Sequence, residues 1–167
     1  ATNDPANAGA VVEVLPNLDA ANEPAPYVVG QTLTLQVGMD LVGKVVEVSG
    51  EKKKPILDGS LLTGSVLVLF GRNNSVRDLT LQNRCDGSLV GTLRIDDAVS
   101  GDVWQGAWVG GFQGEVSGCT FLRAFVGIGH FNGAGTDGYR SRFLAEGNHF
   151  EDVAVAIGNA NLGSSDA

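Results

Sequence analysis

Apolar and polar residues alternate along this chain in short runs, and the runs come in pairs. VSGCTF (116–121) and AFVGIG (124–129) each alternate, and a Leu122-Arg123 step separates them. Period two puts every second side chain on one face, so each run predicts a short, half-buried strand. AEGNHF (145–150) repeats the first run at a shift of 29 residues: Gly118 meets Gly147, Cys119 meets Asn148 and Phe121 meets Phe150. The same shift lays AFVGIGHFN (124–132) on VAVAIGNAN (153–161), matching Ile128 with Ile157, Gly129 with Gly158 and Asn132 with Asn161. Upstream, VRDLTL (76–81) is a weaker copy at a shift of 40.

Alternating strands at such a period predict a stacked solenoid, in which each coil pairs with those above and below. A leucine-rich horseshoe would need a helical or leucine-rich half in each repeat, and none is visible. The N-terminal half fits the same scheme. VVEVL (11–15) predicts a strand ended by Pro16-Asn17, followed to about residue 29 by a polar loop holding Pro24 and Pro26. LTLQVGMDLVG (33–43), VVEV (45–48) and ILDGS (56–60) predict a strand series broken at Gly38, Gly43 and Gly50. SVLVLF (65–70) is apolar nearly throughout, as a strand buried on both faces is. From Asn83 to Gly106 the chain is irregular apart from the strand TLRI (92–95). No segment sustains a helical period. The expectation is one all-β domain over residues 1–167, a solenoid of four to five coils.

Composition sharpens this in three ways. The 24 glycines favour strands and turns over helices. Aromatic residues are 7% of the chain against 43% hydrophobic, so the core must be mostly aliphatic. A formal net charge of −8 argues against binding nucleic acid, which calls for a basic stripe. The one basic run, Glu51-Lys52-Lys53-Lys54 before Pro55, predicts a solvated turn. No apolar run approaches the roughly 20 residues of a transmembrane helix, so membrane insertion is not expected. Of the two cysteines, Cys85 falls in a polar turn, and Cys119 falls within an alternating strand as a small core hydrophobe.

LTLQVGMDLVG, then ILDGS, then VLVLFGRNNSVRDLTLQN resembles the opening of bacterial right-handed parallel β-helix proteins, the pectin-lyase-like superfamily. The resemblance covers nearly the whole chain, with one departure at Pro16-Asn17, where such openings often carry Pro-Gly. It implies a right-handed parallel β-helix in an extracellular, cell-surface or periplasmic setting. It also implies that inward positions make the core and that outward positions of one strand face make any site. The superfamily includes polysaccharide lyases and glycosidases, adhesins, tailspikes and domains of unknown function, so it specifies a scaffold and no reaction.

Aligning the third strand of successive coils on Ile95, Ile128 and Ile157 brings Asp97, His130 and Asn159 into one column. Asp96 lies beside it, and Arg94 lies on the outward face one step earlier. Neighbours in such a column are about 5 Å apart. Asp97 could then hold the His130 imidazole in one tautomer, making an acid–base pair. The other reading is a polar turn column flanked by glycines. A second cluster, in 133–142, holds Asp137, Tyr139, Arg140 and Arg142. Arginine grips a carboxylate through two parallel hydrogen bonds, which suits a sugar-acid polymer, and Tyr139, Trp104 and Trp108 offer faces to sugar rings. A polygalacturonase-like pattern is met only in part, by Asp96-Asp97 and Gly129-His130-Phe131. A calcium-dependent lyase would gather several carboxylates, which Asp96, Asp97 and Asp102 could begin. Histidine-rich metal spacing is absent, since His130 and His149 are the only histidines.

These residues lead us to expect a carbohydrate-recognition or surface module. The alternatives are an enzyme cleaving an acidic polysaccharide through Asp96, Asp97 and His130, and a structural spacer. Arg94, Trp108, Tyr139, Arg140 and Arg142 are the expected substrate contacts. Coil five ends near Ile157 without an amphipathic cap. The chain is therefore expected either to be the N-terminal part of a longer solenoid or to self-associate through that end.

Overall fold

The computed structural model describes residues 2–62, 66–70, 73–82, 92–96, 114–132 and 143–161. The chain makes five passes. The first holds β1 (Val11–Val14), the hairpin β2 (Asn17–Leu18) and β3 (Pro24–Ala25), then β4 (Tyr27–Val28) and β5 (Leu33–Thr34). The second holds β6 (Asp40–Gly43), the hairpin β7 (Val46–Val48) and β8 (Glu51–Lys53), then β9 (Ile56–Asp58) and β10 (Val68–Phe70). The third holds β11 (Asn74–Arg77), β12 (Thr80–Gln82) and β13 (Leu93–Asp96). The fourth holds β14 (Gly114–Ser117) and β15 (Thr120–Asn132), and the fifth β16 (Phe143–Glu146) and β17 (His149–Asn161). Helical structure among the described residues is limited to a 3-10 turn at Pro5–Asn7.

One sheet takes the first strand of every pass in the order β1-β6-β11-β14-β16, and all its neighbours are parallel. In the second sheet the first half of β15 pairs with β12, which pairs with β9 and then β4. The second half pairs with β13, which leads to β10 and β5, while β17 covers the other side of β15. Sheet order follows chain order, which fits a β-solenoid-like fold. The registers equal the shifts read from sequence. Thr120 pairs with His149 and Ile128 with Ile157, 29 residues on, whereas Val76 pairs with Val116 and Thr80 with Thr120, 40 residues on.

Registration stacks like on like inside. Val12, Leu41, Val76, Val116 and Ala145 form one column. Leu57, Leu81, Phe121 and Phe150 form a second, and Leu33, Val68, Leu93, Ile128 and Ile157 a third. Leu41, Val76, Leu81, Phe121, Leu93 and Ile128 are buried, each contributing about 1.5–3 kcal/mol of apolar burial. Phe121 and Phe150 stack with ring centroids 5.0 Å apart and planes 10° from parallel. Gly127 makes room for this pair, since a Cβ there would lie 2.8 Å from Phe150 Cε1.

The strands turn at left-handed residues. Asp78, Gly118 and Gly147, with φ of 56°, 61° and 62°, follow the registered positions Arg77, Ser117 and Glu146. Arg123 (φ 51°) and Asp152 (φ 53°) make the second bend, so the Leu-Arg step that interrupts the alternation is a corner. The ladder runs on through the first bend: Thr120 N donates to Leu79 O at 2.8 Å, and His149 N to Cys119 O at 2.8 Å. Cys119 is buried as expected, and that burial pushes its thiol up to about 11. Cys85 lies outside the described residues.

The lysine run corrects one expectation. Ser49 (φ 54°) and Gly50 (φ 84°) supply the two left-handed positions of a tight hairpin, so residues 51–53 become strand β8 paired with β7. Lys53 binds Glu51 at 2.7 Å and Glu23 at 2.9 Å. It thereby ties this hairpin to the loop of the hairpin in the first pass.

Candidate functional site

The expected catalytic column is met at two positions and corrected at the third. His130 pairs with Asn159, as Ile128 does with Ile157. The residue opposite His130 on β13, however, is Ile95, because Leu93 pairs with Ile128 and Arg94 with Gly129. The alignment on Ile95 is therefore two residues out of register. The reason is local: Leu93 and Ile95 are both apolar and two residues apart, so either satisfies period two. The backbone column through His130 begins at Phe70, which is fully buried, and passes through Ile95. Asp96 pairs with Phe131. Asp97, Asp102, Trp104, Trp108, Asp137, Tyr139, Arg140 and Arg142 lie outside the described residues.

In sequence, most of those residues fall within two of the connections between the sheets. Four connections lead from the second sheet back to the first. In the first two passes they are short, 35–39 and 71–73, whereas in the next two they are 97–113 and 133–142. The strands they leave, β13 and β15, are neighbours, and so are the strands they enter, β14 and β16. Asp97, Trp104 and Trp108 belong to the first long connection, and Tyr139, Arg140 and Arg142 to the second.

Sequence reading missed a polar cluster on the outward face of the first sheet. Asp40, Ser75 and Glu115 share one register column, and Val42, Arg77, Ser117 and Glu146 share the next. Ser75 Oγ donates to Asp40 Oδ1 at 2.7 Å, and Arg77 Nη2 lies 3.3 Å from Asp40 Oδ2. Ser117 Oγ donates to Glu115 Oε1 at 2.8 Å, and Lys44 lies 3.6 Å from Glu13. Ser75 to Glu115 follows the 40-residue shift and Ser117 to Glu146 the 29-residue shift, but the step from Asp40 to Ser75 is 35 residues and follows neither, so no repeat signalled the place of Asp40 in the column. Glu13, Asp40, Glu115 and Glu146 outnumber Arg77 and Lys44 here, and such a face repels a polyanion. Among the described residues, no three of His, Cys, Asp and Glu are grouped to hold a metal ion. His149 is exposed on β17, with Nε2 3.8 Å from Glu151 Oε2.

No protein-family model, curated protein or solved structure matches the chain.

Proposed function

We propose that this chain is a right-handed parallel β-helix of the pectin-lyase-like kind, acting outside the cytoplasm as a carbohydrate-recognition module. The observation that carries the reading is the length of two successive connections from the second sheet to the first, 97–113 and 133–142, between strands that are neighbours, against 35–39 and 71–73 in the passes before. Long loops on a rigid scaffold are where binding residues concentrate. These two hold both tryptophans, Tyr139, Arg140 and Arg142, the residues suited to sugar faces and sugar carboxylates. The carboxylates of the first sheet disfavour that face for an acidic glycan, which leaves the arginines of 133–142 as its anchor. Recognition is preferred to cleavage because Ile95, and not Asp97, stands opposite His130.

Calorimetric titration with polygalacturonate, alginate and a neutral β-glucan tests the reading. Binding of an acidic polymer, weakened at least tenfold by Arg140→Ala with Arg142→Ala, is the expected result. Absence of binding to all three would overturn it. Release of reducing or unsaturated ends, lost in His130→Ala, would establish the enzyme instead.

A further inference from the structure

The two ends of the stack are built differently. At the first pass the outermost strands are short: β1 has four residues, and β4 and β5 have two each. Pro26 directly precedes β4. The Asn3 side chain occupies the free edge beside β5, where Nδ2 donates to Thr32 O at 3.0 Å and Oδ1 accepts from Thr34 N at 2.9 Å. Gln36 Nε2 donates to Thr2 O at 3.3 Å, and Gly9 N donates to Val37 O at 2.8 Å, so the N-terminal segment is fastened across this end. Short strands, proline and a side chain bonded to the edge all block pairing with another chain.

At the fifth pass β16 is as short as β1, but among the described residues β17 shows none of these devices. β17 runs for 13 residues, pairs only with β15, and contains no proline and no lysine. Beyond the bend at Asp152, its stretch Val153–Asn161 carries no charged residue. Val155 is 37% exposed and Ile157 47%. An edge of nine neutral residues is about 30 Å long and meets a copy of itself without charge repulsion.

We propose that two copies of this chain pair through the outer edge of β17, antiparallel about a twofold axis, and that assembly stops there. Twofold pairing uses the same edge on both copies and closes. Head-to-tail stacking would grow without limit, but it needs the first-pass edge that Asn3 and the short strands withhold.

Light scattering on size-separated 167-residue chain, over a hundredfold range of concentration, provides the test. The expected mass is about twice 17.3 kDa with no further growth. Val155→Lys should return it to the monomer, and Val28→Lys at the other end should leave the dimer intact. Should Val155→Lys lose its strand signal in circular dichroism, Ala156→Lys at an exposed position of the same strand carries the same test. A monomer at every concentration, a mass that keeps rising, or a dimer broken by Val28→Lys and not by the β17 variant would each overturn the proposal.

Discussion

Asn148 gives the sharpest test of how successive passes are held together. Its position in the fifth pass is that of Cys119 in the fourth and Leu79 in the third. Its side chain reaches back one pass, where Oδ1 accepts from Cys119 N at 2.9 Å and Nδ2 donates to Val116 O at 2.8 Å. Asn148→Ala removes both bonds. Each is worth about 1 kcal/mol, and leaving the amide of buried Cys119 unmet adds about 1–2 kcal/mol, giving a loss of about 3–4 kcal/mol. For a chain of this length each kcal/mol is worth about 2–4 °C in Tm, so the midpoint should fall by about 6–16 °C.

The last pass of a stack can open without the rest, so a bulk melt alone is a blunt readout. Hydrogen exchange at the Cys119 amide is direct, because Asn148 Oδ1 is its acceptor. The exchange rate should rise by at least tenfold in Asn148→Ala. Leu79 is fully buried at the equivalent position, so leucine fits that part of the column. Asn148→Leu should therefore recover part of the Tm and none of the Cys119 protection. Unchanged exchange in the alanine variant, or protection restored by leucine, would refute the claim that hydrogen bonding between passes matters at this position.

Phe121→Ala empties a fully buried position and should cost about 3–5 kcal/mol in urea unfolding, with Phe150→Ala milder because Phe150 is partly exposed. Gly127→Ala would drive a Cβ to 2.8 Å from both Phe150 Cε1 and Ala156 O, and should lower stability by about 1–3 kcal/mol in the same assay. Cys119 is raised from 9.0 to about 11 by burial, so between those values the unfolded chain loses the thiol proton and the folded chain keeps it. Its contribution is fully present below pH 9.0 and is lost as pH rises towards about 11. Stability measured against pH should therefore fall less steeply across that window in Cys119→Ala.

Most of the strand ladder was legible because stacking imposes translation on the sequence. Gly118 over Gly147 and Phe121 over Phe150 recur because a bend must recur as a bend and a core ring as a core ring. The paired halves of β15 and β17 were visible for that reason, and so was the burial of Cys119. The early passes were harder to read. Between β6 and β11 the shift is 35, between β11 and β14 it is 40, and between β14 and β16 it is 29. Each pass takes insertions at different corners, so no single period aligns Asp40 with Ser75. The β7–β8 hairpin was hidden for another reason. Its signal is the pair of left-handed residues Ser49 and Gly50, and three successive lysines before a proline suit a solvated turn equally well.

The misplacement at Ile95 marks where such reading stops. Period two fixes which face a residue occupies, but sliding the register by two preserves every face. Leu93 and Ile95 are equally good anchors for Ile128 by pattern. Hydrogen bonding along the whole strand chooses between them: Leu93 to Asp96 pairs with Ile128 to Phe131, and that choice moves His130 opposite Ile95. Core composition tolerates the slip, since one aliphatic residue replaces another in the column. An acid–base pair does not, because two residues along a strand is about 6.6 Å, beyond direct hydrogen-bond reach. In a solenoid built from aliphatic alternation, the core can therefore be read from one sequence while the chemistry on its strands cannot. Chemistry depends on register to the single residue, and burial depends on it only to the nearest face.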